Sequence, residues 1–503
     1  MENPLSSFVT LILVCFSLYY LLISYKKRKH TNLPPGPPSI PIFTNIIWLC
    51  KSFSEIQAIL RTFKSKYGPI VTVPIGHRKV IFISSHDLAH KALIQSGSIF
   101  ADRPPVPEST KLFSSNQHNI SSAGYGPLWR LLRRNLTAQI LHPSRVKSYS
   151  PARKWVLEIL KQGVSNSRLE AVKVMDHFQY AMFCLLVLMC FGERVDEKTI
   201  REIEKVQRDS LLNLRRFNIL NFLPRLGKIL FRKRWIQLYE LRRNQESVLV
   251  PLVRYRRDKL EEMIGDDVIV GYVDSLLSLT LPEEGDRKLT EGEIVTLCSE
   301  FLNAGTDTTS TALQWIMANL VKHPEIQSKL FEEIKVVGSD TDDEIKEEDL
   351  HKLTYLKAVV LEGLRRHPPG HFVLPHAVAE DTQLDGYDVP KNAVVNFMVA
   401  EIGWDPKVWE DPMEFKPERF LGEGENFDVT GSREVKMMPF GVGRRICPGL
   451  TLAMLHLEYF VANLVKDFEW TAVTGDDIDL SEKQEFTMVM KNPLHAHITP
   501  RIK

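Results

Sequence analysis

A single cysteine in a loop of glycines and arginines sets the tightest requirement on this chain. The stretch MPFGVGRRICPGL occupies residues 438–450, and its cysteine is Cys447. The chain has six cysteines and no C-x-x-C pair, so the sequence contains neither a typical zinc cage nor a thioredoxin-like motif. Few, scattered thiols in a long chain are typical of a reducing compartment. Cys447 therefore needs a reason of its own.

Composition places the chain among globular proteins. With 503 residues, 44% hydrophobic and 25% charged, it is long enough for a large core or for about two to three domains. The 64 Lys and Arg residues nearly balance the 62 Asp and Glu residues, which gives a formal net charge of +2. No charge excess indicates a nucleic-acid partner, and no internal repeat of solenoid period is present.

The N-terminus predicts a membrane anchor. Residues 8–23, FVTLILVCFSLYYLLI, carry no charge, and with their uncharged neighbours they approach the roughly 20 apolar residues of a spanning helix. The basic run KKRK follows at residues 26–29. A cleaved signal peptide is the alternative, but no small-x-small cleavage site separates the apolar run from the basic residues. The positive-inside rule then places the rest of the chain in the cytosol.

Three segments follow from these features. Residues 1–25 are the predicted anchor helix, and residues 26–42 are a basic and proline-rich hinge that contains LPPGPPSIP. Prolines at this density favour a stiff, extended spacer. Residues 43–503 show no second boundary and are predicted to form a single domain.

Periodicity predicts a fold that is mainly α with a small β-sheet region. Helical spacing dominates the middle of the chain, and the longest predicted helix spans residues 294–322. Alternation in PIVTVPIGHRKVIFISS predicts a hairpin around residues 76–77. Strand-like segments return after residue 375, with a turn at residues 385–386.

The cysteine loop carries a recognisable pattern. Residues 440–449 read F-G-V-G-R-R-I-C-P-G and fit F-x-x-G-x-R-x-C-x-G. This pattern resembles the haem-thiolate site of the cytochrome P450 monooxygenases. The resemblance implies that Cys447 binds the haem iron as a thiolate and that Arg445 pairs with a haem propionate. The alternative is a structural cysteine buried beside a glycine turn.

The other positions of the loop have implied roles as well. Phe440 would shield the sulfur from water, and Gly443 and Gly449 would let the backbone approach the porphyrin and the sulfur. Pro448 suits the first turn of the helix that follows, whose N-terminal dipole favours negative charge on the sulfur.

Two further segments match positions at which members of the family hold the propionates. Trp129 and Arg133 in LWRLLRR match a W-x-x-x-R helix whose members bond a propionate. His376 in VLPHAV falls where relatives often place another propionate donor, although a surface histidine is the alternative.

A third segment points to a structural network. Glu362 and Arg365 in LEGLRRHPP lie three positions apart, and therefore on one helix face. Alone, such a pair is usually an exposed ion pair. The resemblance adds Arg419 of FKPERF as the third member of a buried network, which we expect to specify the scaffold more than to stabilise it.

The segment NAGTDTTS, residues 303–310, lies inside the longest predicted helix although its residues are poor helix formers. We expect the helix to open there for function. The family's A/G-G-x-D/E-T pattern is matched by Ala304, Gly305, Asp307 and Thr308. The resemblance implies that Thr308 holds water near the reacting oxygen and that Asp307 supplies protons from solvent.

Taken over its whole length, the chain resembles a plant A-type, microsomal cytochrome P450, and within that group the lineage that includes enzymes oxidising chlorophyll-derived bilins. The resemblance implies a cytochrome P450 fold with an N-terminal transmembrane helix and a haem b cofactor. It implies electrons from NADPH through an NADPH-cytochrome reductase, and O₂ with a small hydrophobic substrate. It also implies single-pass anchoring in the endoplasmic reticulum membrane, a cytosolic domain and a monomeric catalytic unit.

The predicted activity is hydroxylation, or a related oxidation, of a specialised metabolite or chlorophyll catabolite. A fatty-acid hydroxylase, a haem-thiolate isomerase that rearranges peroxides without a reductase, and a haem carrier or sensor are the alternatives. The acid–alcohol pair argues against the last two, because neither needs delivered protons. The resemblance places the substrate pocket between five segments, namely residues 105–125, 212–223, 302–307, 372–374 and 486–488.

Overall fold

The computed structural model describes residues 32–38, 53–75, 78–165, 171–221, 224–262, 269–338, 344–422, 427–473 and 477–501. The predicted anchor, most of the predicted hinge and the predicted turn at residues 76–77 lie outside the described residues.

Helices account for most of the described chain. Their bounds are α1 Phe53–Tyr67, α2 His86–His90, α3 Glu108–Lys111, α4 Pro127–Gln139, α5 Pro143–Ser148, α6 Ser150–Ser165, α7 Val174–Phe191, α8 Glu197–Asn213, α9 Pro224–Leu230, α10 Arg232–Glu262, α11 Tyr272–Ser278, α12 Glu291–Lys322, α13 Pro324–Val337, α14 Thr354–Arg366, α15 Val399–Gly403 and α16 Leu450–Asp467. A π-helical turn, Lys91–Gln95, extends α2, and 3₁₀ turns occupy Leu214–Asn221, Pro282–Glu284, Glu347–Lys352, Pro417–Phe420 and Gly443–Arg445.

The strands are short and form separate small sheets. They are β1 Ile70–Ile75, β2 Arg78–Ile83, β3 Val172–Lys173, β4 Thr280–Leu281, β5 Arg287–Lys288, β6 His376–Ala377, β7 Thr382–Leu384, β8 Tyr387–Val389, β9 Val394–Phe397, β10 Phe468–Ala472, β11 Glu482–Gln484, β12 Met488–Met490 and β13 His495–Pro500. The largest sheet has the order β1-β2-β9-β6, and a second has the order β10-β13-β3. The predicted hairpin is confirmed by the antiparallel register from Ile70↔Ile83 to Ile75↔Arg78.

Helix α12 runs through the centre of the domain and organises the rest. Thr290 caps its first turn in a capping box with Glu293, and Pro324 follows its last turn. Close packing against its neighbours depends on two glycines. A Cβ on Gly305 would lie 2.7 Å from Leu186 Cδ1 of α7, and one on Gly363 of α14 would lie 2.5 Å from Ile316 Cγ1. Gly305, which we expected to weaken the helix for function, therefore serves packing.

Among the described residues, one helix has the length and apolar composition of a membrane span, and it is α7. Its apolar window is 83% buried inside the domain, where it packs along α12. A helix that is apolar on every side belongs in a core. Helix α7 is therefore the core partner of the central helix.

The described part of the predicted hinge is bound to the domain. Thr72 N–H donates to Pro35 O at 2.9 Å along the outer edge of β1. A Cβ on Gly36 would lie 1.9 Å from Thr72 O, so only glycine permits this approach. Asn32 donates to Asp388 Oδ2 from its main chain and to Gly386 O from its side chain, each at 2.8 Å. Residues 32–38 thus cover a sheet edge and do not act as a free spacer.

A buried charge network closes beneath α14. Arg365 donates to both carboxylate oxygens of Glu362, at 2.7 and 2.8 Å, and both side chains are fully buried. Arg419 approaches the same carboxylate at 3.3 Å, and Lys416 N–H donates to it at 2.8 Å. Arg365 also donates to Gly403 O at 2.8 Å. Glu362, Arg365 and Arg419 therefore meet in the three-way network that was expected.

We predict that Arg365→Met lowers the free energy of unfolding by about 3 kcal/mol, because a buried carboxylate then loses its bidentate partner. Lys416→Met is the matched control, since its ammonium group forms exposed ion pairs with Asp411 and Glu414. Exposed pairs contribute about 0–1 kcal/mol. Urea unfolding of both variants checks this, and equal midpoints for the two would contradict the assignment of the buried network.

Candidate functional site

The Cys447 loop is a tight turn that leads directly into α16. Cys447 N–H donates to Phe440 O at 2.9 Å, which closes the turn. Burial raises the pKa of the Cys447 thiol, whereas a hydrogen bond from the Gly449 main chain and the charge of Arg133 lower it. Those two groups favour the thiolate, the form of cysteine that binds metals. Pro448 was expected in the first turn of the following helix. The helix begins at Leu450, so Pro448 precedes it.

The two glycines of the loop have different roles from those expected. Gly443 has a φ of +74°, and a Cβ there would lie 2.1 Å from the main-chain oxygen of Leu93. The protein's own backbone therefore already requires glycine at this position. A Cβ on Gly449 would lie 3.9 Å from Cys447 Sγ, which is an ordinary contact. The sulfur thus makes no steric demand on Gly449. The N–H group of Gly449 is the part that acts on the sulfur, through its hydrogen bond.

Helix α4 presents an indole and a guanidinium beside this loop. Trp129 is 6% exposed, and its Nε1 is buried without a hydrogen-bond partner in the described part of the chain. The Arg445 guanidinium lies 4.4 Å from the Trp129 ring centre and that of Arg133 lies 5.8 Å from it. Burial lowers the pKa of Arg133, and it lowers that of Arg445 to about 10. The predicted residues Trp129, Arg133 and Arg445 are therefore brought together.

A further arginine, Arg103, belongs to this group and was missed from the sequence. It donates to Leu374 O at 2.8 Å and to Pro375 O at 2.9 Å, next to His376. Burial and the charge of Arg445 lower the pKa of Arg103 to about 9. Its sequence context, FADRPP, has no spacing that relates it to the cysteine. Only the fold brings it there.

His376 is buried next to this group in a defined orientation. Its Nδ1 lies 2.6 Å from Phe100 O, an acceptor, so Nδ1 carries the proton. Burial lowers the pKa of His376 to about 3, so the ring is neutral and its Nε2 is an acceptor. Its predicted role as a propionate donor requires a second proton on the ring, which an adjacent carboxylate favours. The guanidinium of Arg103, which lies next to His376, is a hydrogen-bond donor without any such added proton.

The loop between α2 and α4 connects the cysteine loop to the central helix. Arg445 donates to Ala101 O and to Ala123 O, each at 2.7 Å. From the same loop, Ile120 N–H and Ser121 N–H donate to the carboxylate of Glu300 on α12, at 2.8 and 2.7 Å. Glu300 was not predicted, although a lone carboxylate in the apolar stretch CSEFL was a signal. It fixes the loop against the central helix.

Asp307 and Thr308 lie on α12 where its surface becomes accessible. Ala304 is exposed and Thr308 is partly so, in a helix that is otherwise mostly buried. The helix continues unbroken through this segment, contrary to the expected opening. The Thr308 hydroxyl instead donates to Ala304 O at 2.6 Å. A Thr hydroxyl bonded in this way competes with the main-chain hydrogen bonds of the helix. This competition is the physical reason why the segment was predicted to be a weak part of the helix.

Asp307 is an acid whose pKa is raised by its surroundings. Its Oδ1 lies 3.3 Å from Arg208 Nη1 of α8, and its Oδ2 is buried without a partner among the described residues. Burial raises the pKa of Asp307 to about 6, which Arg208 opposes and Glu485 supports. A cavity of about 10 Å³, the space of one water, adjoins the carboxyl, and its lining includes Leu212 and Phe486. Three of the predicted pocket segments, those of residues 212, 307 and 486, therefore meet here.

The residues present fit a haem. Cys447 supplies a soft thiolate donor, the ligand type of haem-thiolate proteins. The indole Nε1 of Trp129 has no partner among the described residues, and a propionate oxygen is the acceptor that it would need. Within the described ranges, Arg103, Arg133 and Arg445 form no ion pair with a carboxylate, so their guanidiniums would be free to pair with the propionates of a haem.

Comparison with known proteins gives a consistent result. The family model described as cytochrome P450 matches residues 34–499. The chain is similar to cytochrome P450 89A9 of Arabidopsis thaliana, with 51% identity over 518 residues that cover 100% of both chains. It is 30% identical to flavonoid 3'-monooxygenase of Petunia hybrida, over 99% of this chain and 98% of that one. A zebrafish cytochrome P450 solved with abiraterone has a TM-score of 0.72 at 24% identity, covering 89% of this chain and 100% of that one, which shows the shared fold.

We predict opposite shifts in the pKa of Asp307 for two charge-removing variants. Arg208→Met removes a cation and raises this pKa above about 6, whereas Glu485→Gln removes an anion and lowers it. An infrared titration of the protonated carboxyl band measures both, with Asp307→Asn to assign the band. Shifts in the same direction would show that the charges of Arg208 and Glu485 do not set this pKa.

Proposed function

The chain belongs to the cytochrome P450 family and is a haem-thiolate monooxygenase. From that premise we propose which of its residues bind the haem and which deliver protons. Cys447 would ligate the haem iron as a thiolate. Trp129, Arg133, Arg445 and His376 hold the propionates together with Arg103. Asp307 and Thr308 deliver protons during turnover. The observation that carries the proposal is the buried oxygen of Asp307, which has no partner among the described residues and lies beside a one-water cavity, one residue before Thr308.

A haem bound at this site would supply the redox chemistry that activates O₂ for insertion of one oxygen atom into the substrate. The chain supplies protons and keeps bulk water away. Asp307, with a pKa of about 6, exchanges its proton readily near neutral pH. A water held in the adjoining cavity would return a proton to Asp307 from solvent past Arg208 and Glu485. The Thr308 hydroxyl, which is partly exposed on α12, would hold a second water.

This arrangement favours a monooxygenase over the alternatives. A peroxide isomerase and a haem carrier have no use for a buried acid with access to solvent. Relatives named flavonoid 3'-monooxygenase and isoflavone 2'-hydroxylase support a hydrophobic specialised metabolite as the substrate. A chlorophyll catabolite, which the resemblance to the bilin-oxidising lineage implies, and a fatty acid are the other substrate classes to be tested.

Electrons reach the haem, in this proposal, from an NADPH-cytochrome reductase that docks on a basic surface beside Cys447. Four exposed cations define this proximal surface, namely Arg130, Arg134, Lys436 and Arg444. Tyr125 joins two of its parts, because Arg444 donates to its hydroxyl and the Arg130 guanidinium lies 5.0 Å from its ring centre. The helix and the cysteine loop thus present one continuous basic surface to an acidic partner. One chain contains the whole site, which supports a monomeric catalytic unit.

We propose that residues 1–25 anchor the domain of residues 43–503 to the endoplasmic reticulum membrane, with that domain in the cytosol. Two sequons, at Asn119 and Asn135, support this orientation. Asn119 Nδ2 donates to Glu300 at 3.0 Å, and Asn135 Nδ2 donates to Ser275 Oγ at 2.9 Å. A glycan on either nitrogen would break an internal bond, so both sequons are expected to remain unmodified.

Thr308→Ala is expected to keep the haem spectrum and the substrate affinity while diverting NADPH from product to hydrogen peroxide, because water then reaches the site without order. Asp307→Asn is expected to slow product formation by roughly 10²-fold with less peroxide, since water remains but its proton source is impaired. The stoichiometry of NADPH, peroxide and product measures both effects. Thr309→Ala is the matched control, because this neighbouring side chain is buried. A fully coupled Thr308→Ala enzyme would remove Thr308 from proton delivery.

Charge reversal at Arg130 and Arg134 is expected to slow reduction of the haem by the reductase several-fold at low salt, and less at high salt, where charges are screened. Substrate binding stays unchanged. Lys198→Glu, an exposed site on α8, is the control. Stopped-flow reduction rates that are the same in the double variant and in the control would exclude the proximal surface.

Deletion of residues 2–25 is expected to move much of the protein from the membrane pellet to the supernatant. Deletion of residues 2–7 alone, which keeps the apolar run, is the matched control and stays in the pellet. Equal partitioning of the two variants would refute the anchor.

A further inference from the structure

A buried polar network lies between helices α8, α10 and α12, and it determines the orientation of one side chain of the central helix. The network begins at Arg242 of α10, which is 5% exposed. Its guanidinium donates to Gln245 Oε1 at 2.9 Å, to Thr296 Oγ1 at 3.2 Å and to Gly292 O at 2.8 Å. A guanidinium has donors only, so the atom of Gln245 that faces it must be the carbonyl oxygen.

This fixed end sets the orientation of each amide that follows. With its oxygen on Arg242, Gln245 turns its Nε2 to Gln207, where Oε1 accepts at 3.0 Å. Gln207 of α8 then directs its own Nε2 to Ser299 Oγ at 3.0 Å. The same Gln207 Oε1 is also 3.4 Å from the side-chain amide of Asn303. The opposite orientation of Asn303 would place two amide oxygens together, so Asn303 must present its nitrogen here.

The consequence is an acceptor without a partner. Asn303 Oδ1 is buried, with no hydrogen-bond partner in the part of the chain that the structure describes. Asn303 adjoins Ala304, which is exposed, and lies one helical turn before Asp307. The one-water cavity beside Asp307 is not lined by Asn303. A buried acceptor left unpaired is unfavourable, so a donor from a bound molecule would be held well here.

We propose that Asn303 Oδ1 accepts a hydrogen bond from the substrate. The substrate is then a hydrophobic small molecule that carries at least one O–H or N–H group, such as a phenol or a lactam or pyrrole N–H, placed about one helical turn from the oxidised position. Fatty-acid chains with no donor near the reacting carbon do not satisfy the site. The inference rests on the proposed function, since it assigns specificity to the pocket over the haem.

The test compares matched ligand pairs that differ in one donor, namely naphthol with its methyl ether and carbazole with its N-methyl derivative. Dissociation constants come from the Soret shift of the haem-loaded enzyme. The wild type should bind the donor of each pair about fivefold or more tightly than the methylated partner, the strength of one net hydrogen bond. In Asn303→Leu, which keeps the branched shape and removes the acceptor, the two members of each pair should bind alike.

Ser299→Ala is the matched control. It removes a bond of Gln207 but leaves the Arg242 and Gln245 contacts that orient Asn303, so the preference for the donor should remain. The inference is overturned if Asn303→Leu keeps the wild-type ratio, or if it weakens both members of each pair equally, as displacement of a bound water would. A protein with no thiolate-type haem spectrum and no NADPH consumption would instead contradict the proposed function, so the two failures can be told apart.

Discussion

The constraint on which the rest of the site depends is the placement of the Cys447 sulfur, which is partly buried in a tight turn. Burial disfavours a thiolate, so the loop must supply compensation at the sulfur. The Gly449 main chain and the charge of Arg133 supply it, and the Cys447–Phe440 bond closes the turn that holds them. The left-handed conformation of Gly443 lets this turn pack directly on the main chain of Leu93. The shape of the loop therefore follows from the need to hold the negative charge of the Cys447 thiolate beside the Gly449 main chain and Arg133.

A second requirement concerns helix α12, which must be both a core element and a functional surface. It packs closely along α7 through Gly305, yet it carries Glu300, Asn303 and Asp307 in the same few turns. The three side chains differ in how their oxygens are hydrogen-bonded. Glu300 is satisfied by main-chain donors of the preceding loop, whereas Asn303 and Asp307 keep one oxygen free of protein partners in the described chain. These two buried acceptors lie on the same turns of α12 as Ala304, which is exposed, and Thr308, which is partly exposed.

The sequence predicted what depends on local pattern. The cysteine loop, the central helix and the Glu362–Arg365 pair were readable because their spacing matches a turn, a period or a helix face. Arg103 and Arg208 could not be found in this way, because their roles depend on contacts between segments far apart in the chain. Arg103 reaches Leu374, and Arg208 reaches Asp307, only after folding. The reason for Gly443 was also hidden, since Leu93 is its neighbour only in three dimensions.

The central claim is that Cys447, and no other cysteine, ligates the haem iron. The most direct measurement is the absorption spectrum of the reduced, carbon monoxide-bound protein in the wild type, in Cys447→Ser and in Cys298→Ser, whose thiol is buried in the core. We expect the long-wavelength Soret band of thiolate ligation in the wild type and in Cys298→Ser, and its loss in Cys447→Ser. A Cys447→Ser protein that keeps this band would place the ligand elsewhere and contradict the account.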